Sequence, residues 1–203
     1  DQAKIVFDEI HAQLKGAQYL NGKWVHSYGK ITHLKSDSVI VPLSKDSGKT
    51  GDGLNVQLGI CDEYHAHPTS EIYDVLVSGS GARKQPLMAI ITTAGFNLNH
   101  PCYNVEYKYV KQLLDPDSPI DNDQYFVMIN ELDEGDDIKD PKNWVKANPI
   151  LCSYPSGVKY IQDELKVALD VPEKMRNFMT KNMNVWIDDK ESVLVPLNIW
   201  KRN

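Results

Sequence analysis

The sequence predicts an α/β fold, a mostly parallel sheet flanked by helices, followed by a C-terminal α-helical subdomain. Three observations predict it. The run "NVQLGICDE" alternates Val56, Leu58 and Ile60 and ends in charge, as a strand does. A helical pattern follows Pro68, and "PLMAIITTAG" then returns as the most apolar run of the chain, which makes a strand–helix–strand unit with a right-handed crossover. After "DEGDDIKDPKNW" the texture changes, and two helical stretches, "VKYIQDELKVAL" and "PEKMRNFMTKNM", form the helical subdomain.

Each element has its own signal. Ala3, Val6, Phe7, Ile10 and Leu14 fall at helical spacing behind Asp1, a candidate cap, so the chain opens with an amphipathic helix. "SVIVPL", 38–43, reads as a short strand that Pro42 pushes to a sheet edge or strand end. In the crossover helix Ile72, Val75 and Leu76 point inward, and Gly79 and Gly81 stop it. "PLMAIITTAG" is short and apolar enough for a buried strand of a parallel sheet. A helix around "NVEYKYVKQLL" and an acidic, proline-bearing loop come next, and "YFVMINEL", 125–132, is a third strand candidate. The expected division is 1–139 for the α/β core and 140–203 for the helical subdomain.

Bulk properties narrow the function classes. With 203 residues, 41% hydrophobic and 25% charged, the chain has ordinary globular composition and can bury a substantial core. No apolar run approaches the roughly 18 residues of a membrane span, and no secretory signal opens it. Cys61, Cys102 and Cys152 are far apart and odd in number, which suits a reducing compartment. A net charge of −6 means that the domain as a whole is no electrostatic trap for nucleic acid. DNA contact would have to come from a local patch or a larger assembly. The abrupt ends, Asp1 and "NIWKRN", lead us to expect an excerpt of a longer protein.

The stretch "VIVPLSKDSGKTGDG" spells Gly48-Lys49-Thr50, the close of a phosphate-binding loop. The pattern requires a first glycine where Leu43 stands, and it should open into a helix whose N-terminus faces phosphate. "GDGLN" follows instead. This segment reads as an exposed polar loop.

The chemistry concentrates in "LGICDEYHAH". An apolar strand that delivers Asp62 and Glu63 at its C-terminal end puts two carboxylates in the crevice where open α/β sheets bind ligands. In nucleotide hydrolases the first acid of such a pair holds Mg²⁺ and the second polarises the attacking water. The neighbouring strand ends in Thr92 and Thr93, followed by Ala94 and Gly95, so small hydroxyls emerge beside the acids. A solvated strand end and a plain strand-to-loop exit are the bland readings of each alone. His65 and His67 with Cys61 invite a zinc reading. Cys61 should point into the sheet and Asp62 away from it, so a shared site is strained, and a histidine packed near the acids or orienting Glu63 is preferred. Arg83 lies on a glycine-flanked loop, from which a guanidinium can reach across a subunit boundary to transferred phosphate charge.

From "GLNVQLGICDEYHAH" through "TTAGF", with "DQAKIVFDEI", "WVKANP", "FMTKNMNVW" and "LNIW", the chain resembles the ATPase domain of tailed-bacteriophage terminase large subunits. The resemblance implies a RecA-like, ASCE-type P-loop ATPase fold with a C-terminal helical lid. It implies ATP and Mg²⁺ as cofactors and ATP-driven packaging of double-stranded viral DNA into procapsids. The implied partners are the portal protein, the small terminase subunit and other copies in a ring, with no membrane, in the cytoplasm of an infected bacterial host. An endonuclease domain is fused in the full-length family proteins. Carried over by position, Asp62 resembles the Walker B magnesium acid and Glu63 the catalytic base. Thr92, Thr93 and Gly95 resemble the coupling motif, and Arg83 resembles a trans-acting arginine finger. The family's Walker A loop belongs upstream of Asp1, so the excerpt is expected to bind ATP poorly alone. It also lacks the acidic cluster of the nuclease. Two other readings stand beside this one. Asp62-Glu63-Tyr64-His65 spells the DExH motif of superfamily-2 helicases, and a chain without the loop also suits a non-catalytic packaging or scaffold module.

Overall fold

The computed structural model describes residues 2–43 and 53–188. The chain divides into two compact units, Asp1–Asp62 with Ser70–Ile91, and Glu63–Thr69 with Thr92–Asn203. The candidate cap Asp1, the Gly48-Lys49-Thr50 loop and "LNIW" lie outside the described residues.

The first unit opens with helix α1, Gln2–Gly16. It buries Phe7 and half-buries Ala3, Val6, Ile10 and Leu14, the stripe its periodicity predicts. Strands β1, Trp24–Ser27, and β2, Lys30–His33, then form an antiparallel hairpin in the register Trp24↔His33 to Ser27↔Lys30. Its two-residue turn, Tyr28-Gly29, has positive φ at both positions (49° and 70°), the mirror-image turn whose twist matches paired strands. Strand β3, Val39–Ile40, adds to β2 and falls within the predicted "SVIVPL", with Pro42 just past its end. The hairpin itself is not predicted by the sequence reading. Its strands are only four residues long and bury one side chain, Ile31, so apolar alternation is weak.

Strand β4, Leu58–Asp62, helix α2, Glu71–Ser78, and strand β5, Leu87–Ile91, realise the predicted strand–helix–strand unit. The strands pair in parallel from Leu58↔Leu87 to Asp62↔Ile91. The expectation of a mostly parallel sheet needs correction. Among the described residues there is a three-stranded antiparallel sheet, β1-β2-β3, and a separate parallel pair, β4-β5. The alternation in β4 also faces the other way. Leu58 and Ile60 are exposed, whereas Gly59 and Cys61 are buried. A Cβ on Gly59 would stand 2.6 Å from the Met88 sulfur and 3.3 Å from Leu76 of α2, so the glycine lets helix and strand close over this face. On the opposite face Leu87 and Ile91 join Leu58 and Ile60 as exposed apolar side chains, and β5 is not the buried strand expected.

In the second unit a π-helical turn, Cys102–Tyr107, runs into α3, Lys108–Leu114. Helices α4, Pro141–Ala147, α5, Pro155–Asp170, and α6, Pro172–Asn177, follow, and α6 continues into a second π-helical turn, Phe178–Asn182. The core gathers Leu132, Ile138, Trp144, Ile161, Leu165, Met175, Phe178 and Met183. Helices α4, α5 and α6 each start on proline, which needs no N–H partner in the first turn. Asp140 also caps α4 by accepting from the Lys142 N–H. The third strand candidate, 125–132, is not a strand. Leu132 donates its N–H to the Met183 carbonyl at 3.2 Å. The next residue, Asn184, turns left-handed (φ 53°) and meets the Asn130 carbonyl with its side chain instead of its backbone, so no ladder propagates.

Candidate functional site

The acid pair sits where β4 ends. Asp62 is the last strand residue, half-buried and paired in register with Ile91. Glu63 breaks the strand by adopting φ 51°, ψ 44°, a left-handed conformation that costs a side-chain-bearing residue about 1 kcal/mol or more. That kink turns the chain into a single 3-10 turn, Tyr64–Ala66, closed by the Ala66 N–H on the Glu63 carbonyl at 2.9 Å. Tyr64 anchors the turn, fully buried. The strain is stored at the residue singled out as the catalytic base.

The second unit then assembles a hydrogen-bonded group around His65. Its backbone N–H donates to the Thr92 hydroxyl at 2.9 Å, and that hydroxyl donates to the Thr93 carbonyl. The His65 ring reaches Glu63 Oε2 with Nδ1 at 3.0 Å, and the same nitrogen lies 3.0 Å from Thr92 Oγ1. Lys181 Nζ approaches Nε2 at 3.1 Å, donates to Thr93 Oγ1 at 3.0 Å and stands 3.9 Å from Glu63 Oε2. His100 Nδ1 lies 3.0 Å from the His65 carbonyl. Burial, and next the neighbouring Lys181 ammonium, hold the His65 pKa below its ordinary range, against the opposing pull of Glu63. Glu63 Oε2 lies within reach of both the His65 ring and the Lys181 ammonium, 3.0 Å from Nδ1 and 3.9 Å from Nζ. Gly95 packs against the ring, and a Cβ there would lie 2.9 Å from His65 Cδ2.

Glu63, Thr92, Thr93 and Gly95 are thus brought together, joined by His65. Asp62 and Arg83 belong to the first unit. There the Arg83 guanidinium donates from Nε at 3.2 Å and Nη2 at 2.8 Å to the Asn55 carbonyl. Among the described residues no three His, Cys, Asp or Glu side chains form a metal-holding group. The His67 ring packs against Tyr64 with centroids 5.1 Å apart, and burial pushes the Cys61 thiol up to about 11. Lys181 is a participant that the sequence reading does not find. It lies 88 residues from Thr93 and 116 from His65 on a stretch legible only as helical, so no local pattern marks it.

Two family models match the chain. Residues 1–112 match the family model for the terminase large subunit, ATPase domain, and residues 119–202 match that for its endonuclease domain. The second match covers the stretch that the sequence reading assigns to a helical lid. Protein YmfN of Escherichia coli (strain K12) is 36% identical over 151 residues, which is 71% of this chain and 31% of that protein. The terminase large subunit of Lactococcus phage p2 is 26% identical over 202 residues, 96% of this chain and 36% of that protein. The crystal structure of the HK97 bacteriophage large terminase shares the α/β fold, with a TM-score of 0.69 and 22% identity over 91% of this chain and 37% of that one. The chain therefore spans about a third of the length of the curated relatives it matches.

Proposed function

This chain belongs to the terminase large subunit family, and on that premise we propose that it carries part of the ATP-hydrolysing motor that packages double-stranded viral DNA into procapsids. The observation that carries the reading is the approach of Glu63 to His65 at 3.0 Å, inside a group that also holds the Thr92 and Thr93 hydroxyls at the exit of the next parallel strand. In this reading Glu63 takes the proton of the attacking water, and Thr92, Thr93 and Gly95 pass the state of the phosphate to the rest of the chain. Arg83 stabilises phosphate charge on a neighbouring copy.

Asp62 is the residue that would hold Mg²⁺. The donor set fits. One strand-end aspartate beside a glutamate, with no three-acid cage among the described residues, suits an ion that keeps several waters and is completed by phosphate oxygens. Bound with ATP, Mg²⁺ would neutralise the charge that develops on the phosphates.

The fold class in this proposal is RecA-like and ASCE-type, with 1–139 as ATPase core and 140–203 as lid or linker. The longer protein acts as a ring on the portal with the small terminase subunit, in the cytoplasm of an infected host, and it also cuts DNA. Family membership sets the helicase and scaffold readings aside.

The test is steady-state ATP hydrolysis by the full-length protein carrying Glu63→Gln. Turnover should fall by roughly 10²- to 10⁴-fold, the usual worth of a general base, while ATP binding persists. Wild-type turnover would remove Glu63 from its role. In the same assay Arg83→Ala should lower turnover of the assembled ring alone, and an equal loss in monomers would refute action in trans.

A further inference from the structure

We propose that His100 is a positioning residue for Glu63, because its ring caps the 3-10 turn that Glu63 opens; the catalytic half of this inference rests on the function proposed above. The turn satisfies two of its carbonyls itself. The Ala66 N–H meets the Glu63 carbonyl at 2.9 Å, and the His67 N–H meets the Tyr64 carbonyl at 3.0 Å. By the same spacing the next carbonyl, that of His65, would call on residue 68, which is proline and has no N–H to give. The end of the turn therefore needs a donor from elsewhere in the chain. His100 supplies it, with Nδ1 at 3.0 Å from the His65 carbonyl.

The neighbours of the ring fix the direction of that bond. Asn99 donates its N–H to Asn97 Oδ1 at 3.1 Å, so the other end of the amide, Nδ2, faces His100 Nε2 as a donor at 3.0 Å. In a neutral imidazole one nitrogen donates and the other accepts. Nε2 accepts, so the proton sits on Nδ1 and points at the His65 carbonyl. The His100 N–H also closes on the Asn97 carbonyl at 3.2 Å, which ties the ring to the turn 97–100. His65 is thereby held at both backbone groups, its N–H on the Thr92 hydroxyl at 2.9 Å and its carbonyl on His100. A left-handed residue that carries a side chain persists only where its surroundings over-determine it. Glu63, at φ 51°, stands at the start of this turn, and His100 holds the turn from its other end. Without the ring the His65 carbonyl would turn to water, the turn would fray and Glu63 would relax toward extended backbone.

The first test needs no catalysis. Ring ¹⁵N shifts of His100 in the 203-residue chain at about pH 9, well above the ordinary histidine range, should show a protonated Nδ1 and a bare Nε2. The reverse pattern in the wild-type chain would overturn the proposal outright, whatever any variant does. Amide exchange at Ala66 and His67 should quicken about three- to tenfold in His100→Leu and return close to the wild-type rate in His100→Asn, whose amide N–H takes the place of Nδ1–H. Unchanged exchange in a folded His100→Leu chain would overturn the cap, and equal quickening in both variants would show that the ring only fills space. In the full-length protein His100→Leu should lower kcat by about three- to tenfold, the worth of one bond between neutral groups, with KM little changed and His100→Asn restoring most of it. Glu63→Gln run alongside separates the failures. If Glu63→Gln keeps full turnover, the base assignment falls and the catalytic half of this inference falls with it. If Glu63→Gln is inactive while His100→Leu keeps wild-type kcat, the positioning role of His100 alone is refuted.

Discussion

At the scale of single residues, Gly95 and His65 make measurable demands. Gly95 has no room for a side chain, because a Cβ would press on His65 Cδ2 at 2.9 Å and on its Cβ at 3.2 Å. We expect Gly95→Ala to cost about 1–3 kcal/mol of stability by urea unfolding, as overpacked sites do. His65 itself links stability to pH. Burial and Lys181 lower its pKa from the ordinary 6.5, so between 6.5 and the folded value the unfolded chain binds the extra proton. Stability from this residue is complete above about 6.5 and drains away as the pH falls further. Urea midpoints at pH 7.5 and 5.5 should therefore differ more in the wild type than in His65→Gln, and equal differences would contradict the shift. Asp62, Glu63 and the Thr92-Thr93 pair were legible in the sequence because each closes an apolar strand. Lys181 was not, since only folding brings it to Thr93.

At the scale of elements, α4 depends on one polar contact inside an apolar core. Trp144 is buried, and its Nε1–H donates to the Ile138 carbonyl at 2.7 Å. Trp144→Phe keeps most of the packing but strands that carbonyl, a loss of about 1–3 kcal/mol; a melting temperature unchanged from wild type would show that the bond contributes nothing. Elements with long-period or continuous apolar signals, α1, α2, α5 and β5, were visible beforehand. The hairpin β1-β2 was not, for its turn is Tyr-Gly rather than Asn-Gly and its four-residue strands bury only Ile31. The segment 125–132 failed in the opposite sense. Its composition favours a strand, but left-handed Asn184 leaves it no neighbour to pair with. Pairing is a long-range property, and a local window does not contain it.

At the scale of the whole molecule, we expect calorimetry of the 203-residue chain to give no micromolar binding of Mg-ATP, because its one Gly-Lys-Thr has Leu43 in place of the first glycine of a phosphate-binding loop. Micromolar heats would mean that the described residues suffice for the nucleotide. No helix among the described residues is long and apolar enough to cross a membrane. The division into units has one more consequence. The chain passes between them at 62/63, 69/70 and 91/92, so every covalent path runs beside Glu63 or Thr92 or along the short link that joins the 3-10 turn to α2. Two of the three crossings therefore fall at residues beside His65, namely Glu63 and Thr92, so the chain changes unit where its backbone is set by a left-handed kink and where a hydroxyl is held by a backbone N–H.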